Sequence, residues 1–420
     1  MSEKIAIIGA GVIGCASACA LAREGHRVTL FDRDEPGMGG ASYGNAGHIA
    51  AELVQPLPSP QLLFGFAREL FAFGGVLDIP LRRLAAFSPW AWRFAQAAFH
   101  RDANTLHLAP LVKPAAAAFQ QMLRDIGRED LLRRNGHVQV WFGKDAQRKA
   151  DAEAVEIRRW DIPTTAVPSD TLESIANAAQ QPCAAALAFP DSAHVVDPLQ
   201  IVRAFADDAR FHRAEVQGAH VAALTSAGDA IDVHTPAGAM RFDSIVVCAG
   251  AWSAPLLSPF GVNAPLEAAF GYHTELAGHA AHVDAPLVYM DSKLLVTPMH
   301  GRLRASSFME FAGLGSDPDA HKALALRRKL EQLGYRCAGD GVSWRGARPV
   351  LPDYLPGIGR AVCASRVFYA IGHQHIGLTL APVTAQLVAD LVAQRTPKHD
   401  LAPFDLRRFG APRAATARAT

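Results

Sequence analysis

The segment that most constrains this chain lies at its N-terminus, where residues 4–8 (KIAII) run into GAGVIG at 9–14. A short β-branched-rich stretch of this kind suits a strand buried on both faces. Small residues follow as far as Gly25, a natural terminator for a helix, and then a second strand at 27–31 (RVTLF) closes on Asp32. Gly9, Gly11 and Gly14 serve a tight turn, the close approach of a pyrophosphate, and close helix-to-strand packing. The helix that begins with Val12 and Ile13 offers free N–H groups to phosphates. Asp32 stands 18 residues after Gly14, where a carboxylate accepts hydrogen bonds from ribose hydroxyls and repels a 2′-phosphate. Strand, glycine turn, helix, strand and acid together predict a dinucleotide site and disfavour NADP. They leave NAD and FAD open.

The run at 5–22 is uncharged and long enough for a signal sequence or a membrane span. Its three glycines and strand-like start oppose both readings. With 420 residues, 50% of them hydrophobic and 19% charged, the chain can bury a large core in two or three domains. Its 41 basic and 40 acidic residues leave a net charge of +1, so no electrostatic footprint for nucleic acid exists and charge selectivity must be local. Six cysteines, 15, 19, 183, 248, 337 and 363, are scattered without a C-x-x-C pair. That pattern suits reduced thiols in a cytoplasmic compartment and gives no support for a metal site.

After Asp32 the stretch 37–48 (GMGGASYGNAGH) holds too many small residues for a packed element and lets backbone pass close to a flat ligand. GASYGNAG after a GAGVIG fingerprint resembles the FAD-dependent D-amino-acid oxidase superfamily, in the branch holding bacterial D-amino-acid dehydrogenases and glycine and sarcosine oxidases. Further blocks match in order along nearly the whole chain: RAEVQGAHVAAL (213–224), IVVCAGAW (245–252), GARPVLPDYLPGIG (346–359) and YAIGHQHIGLTLAPVTAQLVADLV (369–392).

The resemblance implies a Rossmann-like FAD-binding domain (1–60, 195–265 and 345–420) interleaved with a mostly antiparallel-sheet substrate domain (61–194 and 266–344). It places Ser42, Asn45, Ala46 and Gly47 at the flavin, Val221 rather than Val216 by its backbone at adenine, and Gly250 and Trp252 beside the cofactor. It assigns Gly372, His373, Gly377, Leu378 and Thr379 to the flavin as well. There the N-terminus of a final helix, expected to start near Thr379 to Ala381 because Pro382 belongs in a first turn, faces the reduced ring's negative edge. Covalent sarcosine oxidases carry a cysteine where this chain has Gly346 and Ala347, so the FAD is expected to be non-covalent.

Arg348, in the R-P motif, corresponds to the family's anchor for the substrate carboxylate. A planar guanidinium suits that task because it grips both oxygens at once. His375 stands where glycine oxidases carry a basic residue. Tyr272 and His273 in FGYH are candidate pocket residues, although Phe270 replaces the family's usual basic residue ahead of them. Strands at 293–299 and 303–308 read as a hairpin, with Glu310 beyond it as a pocket or surface carboxylate.

The reaction implied is oxidation of a small or cyclic D-amino acid, such as D-proline or hydroxy-D-proline. Hydride leaves the amine-bearing carbon, and the acceptor of the electrons stays open among quinone, an electron-transfer protein and O2. A glycine- or sarcosine-type oxidase and the flavin subunit of a larger dehydrogenase are the alternatives. Residues 53–99, rich in Leu, Phe and Trp with Arg68, Arg82, Arg83 and Arg93, read as short helices divided by prolines. Such a stretch either covers the core or forms an amphipathic face for peripheral contact with the inner side of an anionic membrane.

Overall fold

The computed structural model describes residues 2–181, 185–277, 283–336 and 343–410. Cys183, Cys337 and most of the Ala/Arg-rich tail after Arg407 lie outside these residues. The four cysteines within them, Cys15, Cys19, Cys248 and Cys363, are free thiols.

Strand Lys4–Ile8 forms where the sequence predicts it and pairs in parallel with Arg27–Asp32 on one side and Ser244–Val247 on the other. Glu215–Gly218 and Val367–Ile371 extend the sheet in parallel, and antiparallel Gly357–Arg360 closes it at six strands. Alternation explains why residues 5–8 of this strand are all apolar. Ile5 and Ile7 join a core built with helices Val12–Arg23, Pro198–Phe211 and Gly377–Val392. Ala6 and Ile8 face the other way, into a core shared with a three-stranded meander at 223–242. Each fully buried Ile is worth about 1.5–3 kcal/mol, so a polar residue in this strand would damage both layers. Gly25, at φ +87°, ends the first helix. Asp197 caps Pro198–Phe211 by accepting from Leu199 N at 2.8 Å.

The second sheet is mostly antiparallel. Its order is Ser343–Val350, Glu267–Ala277, Arg302–Glu310, Leu294–Met299, Leu287–Tyr289, His137–Trp141, Ala185–Phe189 and Thr165–Ala166, with Leu77–Asp78 beside Arg302–Glu310. The expected hairpin is present as Leu294–Met299 and Arg302–Glu310. Residues 345–350, expected with the nucleotide part, instead pair along Glu267–Ala277. Arg348 is therefore presented by the second sheet.

Two helix boundaries differ from expectation for one reason. The last helix starts at Gly377, so Pro382 lies in its second turn, and Pro89 sits inside helix Leu84–Ala97 instead of dividing it. A proline near a helix N-terminus forfeits one backbone bond, and packing compensates: Pro382 is buried along with nearly all of its helix, and Phe87 and Trp90 bury the face next to Pro89.

Candidate active site

A cavity of about 620 Å³ runs between the two sheets, within the range of roughly 300–1,000 Å³ expected of ligand sites. At one end lie the first glycine turn, Asp32, Val221, Gly250 and Trp252; at the other are Arg348, the 372–378 loop, Lys293 and Phe308.

The glycine turn shows why each glycine is there. Gly9 has φ +108°, and a side-chain carbon on it would stand 2.5 Å from the carbonyl oxygen of Cys248. One on Gly14 would stand 1.8 Å from the oxygen of Gly9. Gly14 is thus a packing residue and does not line the cavity. Gly11 faces the cavity, and a carbon there would meet only Ser42 Oγ, at 3.2 Å. Asp32 is held in place by accepting from Ala10 N (2.7 Å) and Asp34 N (3.1 Å). Trp252 lines the same end, with the Arg33 guanidinium 4.9 Å over its ring.

The loop at 40–47 follows the cavity wall. Ser42 Oγ accepts from Val12 N at 2.9 Å, which ties this loop to the helix start. Asn45 turns its side chain onto its own backbone, accepting from Gly47 N at 2.9 Å. Ser42, Asn45 and Ala46 line the cavity whereas Gly47 does not. Arg304, buried in the second sheet, donates to the carbonyls of Tyr43 (3.0 Å) and Asn45 (2.8 Å) and to Glu275 (3.1 Å). It therefore clamps the loop to the sheet.

At the far end Arg348, half-buried in the cavity wall, donates through Nη1 to the carbonyl of Phe308 at 3.0 Å. No carboxylate pairs with it among the described residues. Desolvation lowers its pKa, opposed by nearby Tyr354, yet a guanidinium stays protonated. Phe308 adopts φ +68° beside an irregularity in the strand pairing. That conformation is costly for a bulky residue, and it sets the carbonyl that receives Arg348. His375 opens onto the cavity, and desolvation within the site, then the charge of Arg348, depresses its pKa to about 4, so His375 is neutral at physiological pH. His373 bonds through Nε2 to Thr384 Oγ (3.1 Å), and burial lowers its pKa to about 3. Gln374, at φ +45°, straps the loop to Pro349 by N–H to carbonyl at 3.0 Å. Asp32 is the one carboxylate among the lining residues.

Seventeen of the predicted residues line this cavity: Gly9, Gly11, Val12, Ile13, Asp32, Ser42, Asn45, Ala46, Val221, Gly250, Trp252, Arg348, Gly372, His373, His375, Gly377 and Leu378. Tyr272 and His273 do not. The Tyr272 hydroxyl donates to Glu310 at 2.7 Å, and His273 Nδ1 lies 3.0 Å from the Gly44 carbonyl with its ring stacked on Trp344. Both belong to the sheet's interior because that strand is buried on both faces. Thr379 is also outside, accepting from Ala50 N at 3.1 Å. Glu310 is buried and neutralised by Lys322 (2.9 Å) and Arg345 (2.9 Å).

Trp344, Lys293, Gln374 and Phe308 line the cavity without having been anticipated. Only Trp344 had a signal, the two glycines that make room for it. A side-chain carbon on Gly44 or Gly346 would stand 2.0 or 1.8 Å from its ring.

The cradle open at Gly11, the fixed Asp32 and the helix N-terminus at Gly377 fit a dinucleotide with a flat ring at the Arg348 end. The fold and cavity thus define a nucleotide-cofactor oxidoreductase class. Residues 4–391 match the family model of FAD-dependent oxidoreductases, the D-amino-acid oxidase family, and the chain belongs to that family. Along 97% of its length it is 30% identical to a D-amino-acid oxidase of Bradyrhizobium diazoefficiens, covering 99% of that protein. A D-amino acid dehydrogenase 2 of Pseudomonas aeruginosa is likewise 30% identical, over 95% of this chain and 97% of its own. In fold the chain is similar to a glycine oxidase from Geobacillus kaustophilus (TM-score 0.75, 21% identity, 97% and 99% of the two chains). The same holds for an L-proline dehydrogenase from P. horikoshii (TM-score 0.70, 18% identity, 97% and 98%). The protein is an FAD-dependent oxidoreductase.

Proposed function

We propose that this enzyme oxidises a small or cyclic D-amino acid, of which D-proline and hydroxy-D-proline are the leading candidates, at the Arg348 end of the cavity. The observation that carries the reading is a half-buried guanidinium at the cavity wall whose one hydrogen-bond partner among the described residues is a carbonyl. A partly desolvated guanidinium that faces the cavity without a partner anion is open to one, and a substrate carboxylate supplies that charge through two parallel hydrogen bonds. FAD, when bound non-covalently, accepts the hydride from the carbon that bears the amine. Cys248, the cysteine at the cavity wall, supports non-covalent binding, since burial pushes its thiol pKa up to about 12 and keeps it a thiol.

The remaining residues favour an amine in its neutral form, as hydride loss requires. No carboxylate lines the Arg348 end to hold an ammonium, and neutral His375 neither repels nor attracts charge there. Phe308, Met309 and Val76 give that end an apolar wall, which limits substrate size and excludes water. His375 and Gln374 are polar groups lining that end, while the Lys293 ammonium is paired with Glu69. The test is anaerobic bleaching of the flavin by D-amino acids, L-amino acids, glycine and sarcosine. Fastest bleaching by D-proline or its hydroxylated form is the expected result; preference for glycine, sarcosine or an L-isomer overturns it.

We also infer that the electrons pass to a membrane quinone from a peripheral, inner-face position. No helix among the described residues is long and apolar enough to cross a membrane. The segment at 60–99 nevertheless exposes Phe64, Phe73, Leu81, Trp92 and Phe99 near Arg68 and Arg82, a composition suited to an anionic interface.

A further inference from the structure

We propose that His48, Glu52 and His137 form a binding site for one divalent transition-metal ion of the zinc type, behind the cavity wall. His48 Nε2 lies 3.8 Å and His137 Nε2 3.6 Å from Glu52 Oε1. All three donor atoms fall within 4.8 Å of one another. Their side chains are 7%, 0% and 3% exposed for His48, His137 and Glu52 respectively. Zinc bonds of about 2.0–2.2 Å give tetrahedral ligand edges of about 3.3–3.5 Å, so the two edges to Glu52 are within a few tenths of an ångström of that geometry, and the nitrogen–nitrogen edge lies within 4.8 Å.

Two independent observations point to a ligand. His48 Nε2 and both nitrogens of His137 are buried without a hydrogen-bond partner among the described residues, which is costly for groups that could otherwise bond water. The second is a contrast with another buried acidic cluster. Around Asp78, Glu310 and Asp319 the ammonium of Lys322 sits 2.7, 2.9 and 2.8 Å from the three carboxylates, so a cation is already supplied. At Glu52 no lysine or arginine is paired among the described residues. A nitrogen-nitrogen-oxygen donor set of this kind suits zinc and its neighbours in the first transition row. The Ser192 hydroxyl donates to the other oxygen of Glu52 at 2.6 Å, orienting the carboxylate as outer partners of metal ligands do.

The site would be a rivet. His48 lines the cavity and begins a short strand paired with 193–194. His137 opens strand His137–Trp141 of the second sheet. One ion would join the cavity wall, that sheet and the turn holding Ser192. The proposal does not depend on the substrate reading.

The experiment loads the flavin-bound enzyme with Zn2+, removes loose metal by gel filtration, and measures zinc per chain with X-ray absorption at the zinc edge. Expected is about one ion per chain in a shell of nitrogen and oxygen at about 2.0–2.1 Å. His137→Gln and Glu52→Gln should abolish retention, and Ser192→Ala should weaken affinity about 10- to 100-fold. If a variant fails to keep FAD and a native melting transition, the wild-type zinc content and spectrum decide alone. Failure of the wild type to retain zinc overturns the proposal, as does zinc held equally by folded His137→Gln enzyme. Either result would leave a protonated Glu52 or a buried water as the occupant.

Discussion

The guanidinium of Arg348 packs against Gly271 on the neighbouring strand. A side-chain carbon on Gly271 would stand 2.0 Å from Nη2 and 2.2 Å from Cζ of Arg348. Gly271 pairs with Gly346 and Arg348 with Ala269, so the two are diagonal neighbours, close enough for a long side chain to cross between them. The glycine of FGYH thus owes its place to the space it leaves, while the tyrosine and histidine beside it face into the sheet.

Gly271→Ala should therefore displace Arg348 without touching the nucleotide end. The expected outcome is a rise in KM for the amino acid and a loss of kcat/KM of about 10- to 150-fold. That range corresponds to the roughly 1.5–3 kcal/mol carried by hydrogen bonds to a charged group. FAD content should be unchanged. Steady-state kinetics with flavin absorbance checks this; a variant with native KM would show that Arg348 tolerates the intrusion and is not constrained there.

Arg348→Lys keeps the charge and removes the fork. A lysine fixes distance but not orientation, so kcat should fall along with affinity, whereas a simple ion-pair role would leave kcat intact. Arg348→Ala should eliminate turnover and still bind FAD. Retained affinity of the alanine variant for the amino acid, read by flavin spectral perturbation, would refute the anchoring role.

Sequence made the nucleotide half legible because its signals are local. Gly9, Gly14, Gly25 and Asp32 each act on residues near in the chain or on a strand end whose position the pattern defines. The residues that shape the other end work across long separations and carry no local mark. Arg304 clamps Tyr43 and Asn45 from some 260 residues away, and Phe308 takes a backbone conformation that its residue type disfavours. Tyr272 and His273 were misplaced because a strand buried on both faces hides which way its polar residues point. The cluster of His48, Glu52 and His137 carries no local mark either, since His137 is brought to the other two only by the sheet.

Acid should destabilise the enzyme in a definite window. Burial, the larger cause, holds the pKa of His273 at about 4, with Arg304 contributing, and burial holds that of His373 at about 3. The unfolded chain has both near 6.5. Below pH 6.5 the unfolded state takes up protons that the folded state refuses, so stability is full above that pH and falls as pH drops toward 4. Two such groups contribute up to roughly 3 kcal/mol per pH unit in the middle of the window. Urea titrations from pH 7.5 to 4.5 measure the slope. His373→Gln should reduce it by about one proton's worth, and an unchanged slope would show that His373 is already protonated in the folded enzyme.

Membrane contact can be tested on the same preparation. Phe64, Leu81 and Trp92 are 88%, 85% and 67% exposed, and helix Leu84–Ala97 buries Phe87 and Trp90 while leaving Leu84 and Trp92, eight residues apart, exposed. Large apolar side chains exposed this fully gain about 1.5–3 kcal/mol each on transfer out of water, and Arg68 and Arg82 add attraction to anionic headgroups. The enzyme should sediment with vesicles containing phosphatidylserine and much less with neutral ones. Phe64→Ser with Trp92→Ser should weaken that partition by at least about 10-fold at unchanged FAD content. Quinone dissolved in the vesicles should reoxidise substrate-reduced flavin faster with wild type than with the double variant. Equal rates for the two would mean that the exposed residues take no part in electron delivery, and would favour a water-soluble acceptor.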